Sequence, residues 1–245
     1  MPLIIRVVWV LCCIGIFFGF VYFSMMNQKQ MNQEQNQQAA EQSQQRAEEK
    51  KKRQETKAQF AEMMGQVQEL NALGKYAEAA KLASQAVALE PMNARAYTWW
   101  GLSLVKSGKT PEALEKFDQS SRLDPNQTKN YYYWGLALLL DKHSEQAIDK
   151  FENALLLDPE NSKAYASWGV ALNHLGKYDE AIKKLEEALA QNSYNQQAYG
   201  VLVDAHFHRG QYQQAWEVAA RARKNKITIA QASLKRLSDA SPEPR

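Results

Sequence analysis

The 245-residue chain has only two cysteines, the adjacent Cys12 and Cys13. Two cysteines exclude a disulfide-stabilised scaffold, and this pair lacks the spacing of a zinc site. Seven prolines and eleven glycines exclude a collagen-like or broadly low-complexity chain. The net charge of +3 is too small to indicate nucleic-acid binding, so no nucleic-acid partner is predicted.

Catalytic motifs are missing as well. The sequence has no phosphate-binding loop and no G-x-S-x-G motif. His206 and His208 are two residues apart on one predicted helix, so they point to different faces and do not form a metal-binding pair. We therefore predict that the protein is not an enzyme and has no catalytic residues, no cofactor and no metal site.

One long apolar run lies near the N-terminus, after a short head of residues 1–6. Residues 7–26 carry no charge, and a helix of that length is ~30 Å long, which matches the hydrocarbon core of a bilayer. No small-residue cleavage site follows the run, so we predict a single-pass transmembrane helix and not a signal peptide. Gly15 and Gly19 form a G-x-x-x-G pattern, which predicts either a contact with a second helix or a lipid-facing surface.

The segment that follows, residues 27–59, is rich in glutamine and charged residues and has almost no large apolar side chain. Such a composition cannot bury a core, and no Leu, Ile or Val heptad indicates a coiled coil. We predict a polar tether that is disordered at first and increasingly helical from Glu41 onward.

From residue 60 the sequence repeats with a period of 34 residues. At fixed places an alanine recurs in all five units, a tyrosine in four, and a glycine and a closing proline in three each, as in Ala113, Tyr97, Gly101 and Pro125. Between these residues the apolar positions have the spacing of two amphipathic helices. One helical hairpin cannot bury its apolar face alone, so the repeats predict a stacked solenoid.

These repeats resemble the tetratricopeptide repeat (TPR) family, most clearly in AYASWGVALNHLGKYDEAIKKLEEALAQNS, residues 164–193. The predicted fold class is all-α: an N-terminal transmembrane helix, the polar tether, and a right-handed α-solenoid of about five TPR hairpins with a C-terminal capping helix. The solenoid covers 60–229, and the capping helix and a frayed tail cover 230–245. The assigned repeats are 60–93, 94–127, 128–161, 162–195 and 196–229.

The resemblance also assigns residues to the contacts between helices. Small side chains allow two helices to cross closely, and a recurring tryptophan packs beside them. The predicted packing residues are Trp100, Gly101, Ala113, Trp134, Gly135, Ala147, Trp168, Gly169, Ala181 and Ala215.

TPR arrays bind protein segments on a concave face lined by the first helix of each repeat. Met64, Gln68, Thr98 and Leu102 do not fit the Lys and Asn pattern with which some members grip a C-terminal carboxylate. The corresponding face is mostly apolar and is predicted to bind an amphipathic helix or apolar peptide, or else to contact neighbouring helices of the same superhelix. The predicted groove residues are Thr98, Leu102, Val105, Tyr132, Leu136, Leu139, Ala166, Val170, Asn173, Asp204 and Phe207.

The resulting functional prediction is a membrane-anchored TPR scaffold or adaptor. It would recruit or organise protein partners through an apolar groove during assembly of a membrane or envelope complex. The architecture resembles bacterial inner-membrane proteins with periplasmic TPR units, so we expect that location, with the cytoplasmic side as the alternative. A second hypothesis is a permanent structural subunit of a large membrane complex, packed through its TPR array and transmembrane helix, and the sequence leaves homo-oligomerisation open.

Overall fold

A computed structural model describes the backbone of residues 3–244 and the side-chain surroundings of residues 15, 17 and 19–244. The chain forms two compact units, Met1–Gln59 and Phe60–Arg245. Within the described residues there are eleven α-helices and no strand. The helices are α1 (Leu3–Ala72), α2 (Tyr76–Leu89), α3 (Ala94–Lys106), α4 (Thr110–Leu123), α5 (Thr128–Leu140), α6 (Ser144–Leu157), α7 (Ser162–His174), α8 (Tyr178–Gln191), α9 (Gln196–His208), α10 (Tyr212–Lys224) and α11 (Gln231–Ala240).

The predicted transmembrane helix requires a correction. Among the residues that the structure describes, no helix is long and apolar enough to cross a membrane. This finding overturns the membrane-spanning element of the predicted fold class. From Asn27 onward α1 carries amide and charged side chains, whose transfer into hydrocarbon is unfavourable. In the predicted span, 7–14, 16 and 18 lie outside the residues whose side chains are described.

Gly15 and Gly19 were predicted to form either a contact with a second helix or a lipid-facing surface. Both residues are exposed, and nothing lies within 4 Å of a Cβ atom built at either position. Within the described part of this chain neither glycine contacts another helix, and a contact with a second helix stays a prediction.

The polar segment 27–59 is helical throughout, and every residue in it except Thr56 is exposed. The expected disorder in its first part is absent from the structure. The segment contains no glycine or proline and is rich in Gln, Glu, Lys and Ala, which are good helix formers. Local pairs add support, as between Lys51 Nζ and Glu55 Oε1 at 4.0 Å.

The second unit is a row of five helical hairpins followed by α11. The first helices are the last turns of α1 and then α3, α5, α7 and α9, and the second helices are α2, α4, α6, α8 and α10. The turn between them contains a residue with positive φ, a left-handed conformation that glycine adopts without strain. Gly74, Gly108, Gly176 and Gly210 occupy this place, and Lys142 takes it in the third hairpin with φ 61°.

Within each of the three central hairpins the two helices cross at a glycine. A Cβ atom at Gly135 would lie 2.5 Å from Phe151 Cε1, and one at Gly169 would lie 2.5 Å from Leu185 Cγ. Gly101 meets Phe117 in the same way. No side chain fits at such distances. The alanines assigned to packing are fully buried, at Ala113, Ala147, Ala181 and Ala215.

The recurring tryptophans Trp100, Trp134 and Trp168 are half-buried and share a contact that the sequence analysis did not identify. A lysine ammonium from the second helix lies over each ring, at 4.0 Å from the ring centroid for Lys150 above Trp134. Cation–π attraction of this kind is worth ~0.5–2 kcal/mol. The other two pairs follow at the same repeat positions: Lys116 over Trp100 at 4.7 Å and Lys184 over Trp168 at 4.4 Å.

Two glycine substitutions test the helix crossing. Gly169→Ala places a methyl group against Leu185, and we expect a loss of ~1–3 kcal/mol in unfolding free energy. Gly200→Ala in α9 meets nothing within 4 Å and removes a flexible residue from a helix interior, so it should gain about 0.5–1 kcal/mol. Urea unfolding followed by circular dichroism measures both changes, and equal effects at the two positions would contradict the assigned crossing.

Candidate protein-binding surface

The structure places two predicted groove residues in the interior. Ala166 is 0% exposed and Thr98 is 4% exposed. Thr98 Oγ1 donates a hydrogen bond to Asn130 Oδ1 at 3.2 Å, and Asn130 Nδ2 donates to the carbonyl oxygen of Phe117 at 3.0 Å. These small side chains lie where neighbouring repeats pack together, so they contribute to cohesion between repeats.

Two further predicted groove residues, Asp204 and Phe207, are engaged by the C-terminal helix α11. Arg236 Nη2 donates to Asp204 Oδ1 at 2.7 Å, and the same guanidinium lies 5.7 Å from the centroid of the Phe207 ring. Arg221 and Arg223 form similar ion pairs, so three of the basic residues near the C-terminus hold the last helices and the tail together.

The remaining predicted groove residues are half-buried. Leu136 and Leu139 pack against the cluster formed by Leu138, Ala147 and Phe151. This is the arrangement expected from the alternative interpretation, in which such residues contact neighbouring helices. The other members of this half-buried set are Leu102, Val105, Tyr132, Val170 and Asn173.

A cavity of ≈ 550 Å³ opens on the side formed by the first helices, near their N-terminal ends. It lies between the starts of α3 and α5 and the loops before α5 and α7. Thr98 is the only one of the eleven predicted groove residues in its wall. The lining residues are Gln68, Arg95, Thr98, Trp99, Gln127, Thr128, Lys129, Tyr133, Leu157, Asp158 and Asn161.

A smaller cavity of ≈ 300 Å³ adjoins the first and shares Gln68 and Arg95 with it. Its apolar wall includes Phe60 and Met64. The two cavities together extend along the N-terminal ends of the first helices of three consecutive repeats.

The larger cavity contains a repeated pair of chemical groups. Arg95 and Lys129 are exposed and are 34 residues apart, and neither forms an ion pair within the described part of the chain. Trp99 and Tyr133 each follow their cation by four residues, which places cation and aromatic ring on one helix face. This pairing could have been found in the sequence, because the cation and the aromatic residue of R-A-Y-T-W at 95–99 recur in K-N-Y-Y-Y at 129–133.

One acidic residue, Asp158, belongs to the same wall. Asn161 Nδ2 donates a hydrogen bond to Asp158 Oδ2 at 3.0 Å, and Asn161 Oδ1 accepts from the Ala164 backbone N–H at 3.1 Å. Asn161 therefore caps α7 and fixes the acidic group at the same time. Two cations and one carboxylate leave this cavity with a net positive charge.

Two neighbouring tyrosines differ from free tyrosine in acidity. Burial raises the pKa of the Tyr133 phenol. Burial is also the largest cause of the raised pKa of Tyr132, Tyr133 acts in the same direction, and the Ser167 side chain acts against both. The two rings lie 5.5 Å apart. Both phenols are therefore neutral near pH 7, and the charge of the cavity comes from Arg95, Lys129 and Asp158.

No group of three or more His, Cys, Asp or Glu side chains that could hold a metal ion occurs in the part of the chain that the structure describes. His206 Nδ1 lies 2.8 Å from Gln211 Oε1, and the His208 ring stacks on Tyr178 at 5.0 Å. Both imidazoles thus have partners in the fold.

The family is shown by comparison with known sequences. One tetratricopeptide repeat model matches residues 64–128 and 132–196, and a second such model matches residues 172–237. This chain belongs to the tetratricopeptide repeat family, as the sequence predicted. A model described as ATP synthase E chain matches residues 1–89, which is less than half of the chain. No curated protein matches the sequence.

Solved structures share the fold at low sequence identity. MamA is 21% identical over 65% of this chain and 94% of its own, with a TM-score of 0.60. A MamA structure from Desulfovibrio magneticus RS-1, residues 41 to the end, is 19% identical over 67% of this chain and 93% of its own, with a TM-score of 0.61. PilF of Pseudomonas aeruginosa is 18% identical over 76% of this chain and 85% of its own, with a TM-score of 0.64. These likenesses show the fold alone, an all-α TPR-like solenoid.

The raised pKa of Tyr132 predicts a loss of stability at alkaline pH. The folded protein favours the neutral form of this phenol. Its contribution to the unfolding free energy is therefore complete below the pKa of the unfolded chain, about 10, and is lost as the pH rises beyond that value. Tyr132→Phe should therefore reduce the fall in unfolding free energy between about pH 9 and about pH 11. Urea unfolding measures this fall. Tyr194→Phe, at an exposed tyrosine, is the control and should behave as the unmodified protein does.

Proposed function

We propose that this protein is a non-enzymatic TPR scaffold that binds a segment of a partner protein in the cavity lined by Arg95, Trp99, Lys129 and Tyr133. The TPR fold indicates a protein-interaction scaffold. The observation that carries the narrower proposal is the ≈ 550 Å³ cavity, which combines two aromatic rings with two cations that have no ion-pair partner among the described residues.

The size and composition of the cavity suit a polypeptide ligand. Ligand cavities in proteins usually measure ~300–1,000 Å³, which is room for a few side chains. Tryptophan, tyrosine and arginine are also the residues that contribute most to binding energy at protein interfaces. Trp99 is half-buried and packs against the cluster of Met64, Ala86 and Val87, so its ring is held in place before a partner arrives. Such preorganisation lowers the entropy cost of binding.

More specifically, we propose that this TPR scaffold takes part in the assembly of an envelope complex. The TPR architecture is the support for this narrower proposal. The cellular compartment stays a prediction. A permanent subunit of a large complex is the second candidate, and the match of residues 1–89 to the ATP synthase E chain model favours it. Sizing of the protein purified from its native source separates the two, because a fixed stoichiometric assembly supports the subunit and a monomer with exchanging partners supports the scaffold.

Site-specific photo-crosslinking tests the proposed surface. Benzoylphenylalanine in place of Tyr133 should give a discrete covalent adduct with a partner protein, because this position lies in the cavity wall. The same probe in place of Gln119, an exposed residue on the second helix α4, is the control and should give none. Adducts are detected as shifted bands in denaturing gels and identified by mass spectrometry.

Circular dichroism of both crosslinking variants checks that they remain folded. Equal labelling from Tyr133 and Gln119, or no adduct from Tyr133 in cells that express the protein, would contradict the assignment of the binding surface.

A further inference from the structure

We propose that the ligand of this cavity is an extended acidic segment with a carboxylate side chain at about every third residue. This inference rests on the proposed function and names the chemical class of the partner segment. The side chains that would receive the carboxylates are Arg95 and Lys129 in the cavity wall and Lys163 one repeat beyond it, which we call the cation row.

The cation row is produced by the repeat. Each member is the second residue of a first helix, in α3, α5 and α7, and successive members are 34 residues apart. All three are exposed, and none forms an ion pair within the residues that the structure describes. The neighbouring first helices pack directly against each other, so equivalent positions are separated by roughly 8–10 Å.

This spacing matches an extended chain. A polyproline II segment advances ~3.1 Å per residue with three residues per turn, so every third residue advances ~9 Å and lies on the same face. Carboxylates at positions i, i+3 and i+6 of such a segment would therefore face successive cations. An α-helical ligand advances only ~1.5 Å per residue and would present acids at this interval after about two turns.

The aromatic rings add an apolar requirement. Trp99 and Tyr133 lie one helical turn beyond Arg95 and Lys129 in the same wall. An apolar side chain between two acids would lie against these rings while the acids contact the cations. Ligand residues should thus combine acidic and apolar side chains in a regular pattern.

Asp158 should make the site favour a segment with spaced acidic residues over a uniformly acidic one. Its carboxylate belongs to the wall and is fixed by Asn161. A uniformly acidic segment brings like charges towards Asp158, and this repulsion disfavours it. The spacing of the acids, and not their number alone, should therefore determine affinity.

Fluorescence anisotropy with synthetic peptides tests the proposal on the full chain. The probe is a fluorescein-labelled, C-terminally amidated peptide of about twelve residues built from Glu-Ser-Leu units, long enough to pass all three cations. One control peptide has the same composition with its glutamates contiguous, and another has glutamine for glutamate. We expect the spaced acidic peptide to bind at least about tenfold more tightly than either control.

Charge-reversal substitutions test whether the peptide binds at the cation row. Arg95→Glu combined with Lys129→Glu should weaken the spaced acidic peptide by about tenfold or more and remove its advantage over the controls. Lys81→Glu combined with Lys183→Glu makes the same change in net charge at exposed positions on α2 and α8 and should leave the affinity unchanged.

Equal affinity for the three peptides, no measurable binding of any of them, or insensitivity to the Arg95 and Lys129 reversal would overturn the inference. The photo-crosslink at Tyr133 distinguishes failure of the proposed function from failure of the proposed acidic ligand. If that adduct forms and also persists in the Arg95→Glu, Lys129→Glu protein, the cavity binds a partner that is not selected by acidic residues. If no adduct forms in the unmodified background, the proposed function itself fails.

Discussion

The close crossing of two helices in each central repeat is the constraint on which the rest of the structure depends. Phe117, Phe151 and Leu185 occupy the space that a side chain would need at Gly101, Gly135 and Gly169. Dense packing of this kind tolerates little change in volume. Since the same contact recurs at one period, the three central repeats share one hairpin geometry. Residues 34 apart in sequence are therefore placed equivalently along the solenoid.

Because of that regularity, residues at equivalent positions of successive repeats form rows along the solenoid. A lysine over a tryptophan recurs in three repeats, as for Lys150 over Trp134, and supports the hairpins without creating a binding surface. Arg95 and Lys129 recur in the same way but remain exposed beside Trp99 and Tyr133. The first set has its partners inside the repeat, whereas the second has no ion-pair partner among the described residues, which is why we propose that the second takes part in recognition.

The helices and their crossings could be predicted from the sequence because small residues, turn glycines and apolar positions all shared one period. The proposed binding cavity could not be predicted in the same way. Leu136 and Leu139 resembled an exposed apolar groove, yet both are half-buried and pack against the cluster that contains Phe151. Arg95 alone suggests a solvated charge and Trp99 alone a core aromatic. Only the fold brings these residues into one cavity with Tyr133. The transmembrane prediction was wrong because it relied on one apolar run, whereas no helix of the described chain is suited to span a membrane.

Hydrogen exchange of the full chain, with and without the spaced acidic peptide, tests most directly whether recognition occurs at the starts of the first helices. The account predicts slower amide exchange in the N-terminal turns of α3 and α5 when the peptide is bound, with α4 and α6 unchanged. Protection confined to the second helices, or spread evenly over the solenoid, would contradict it.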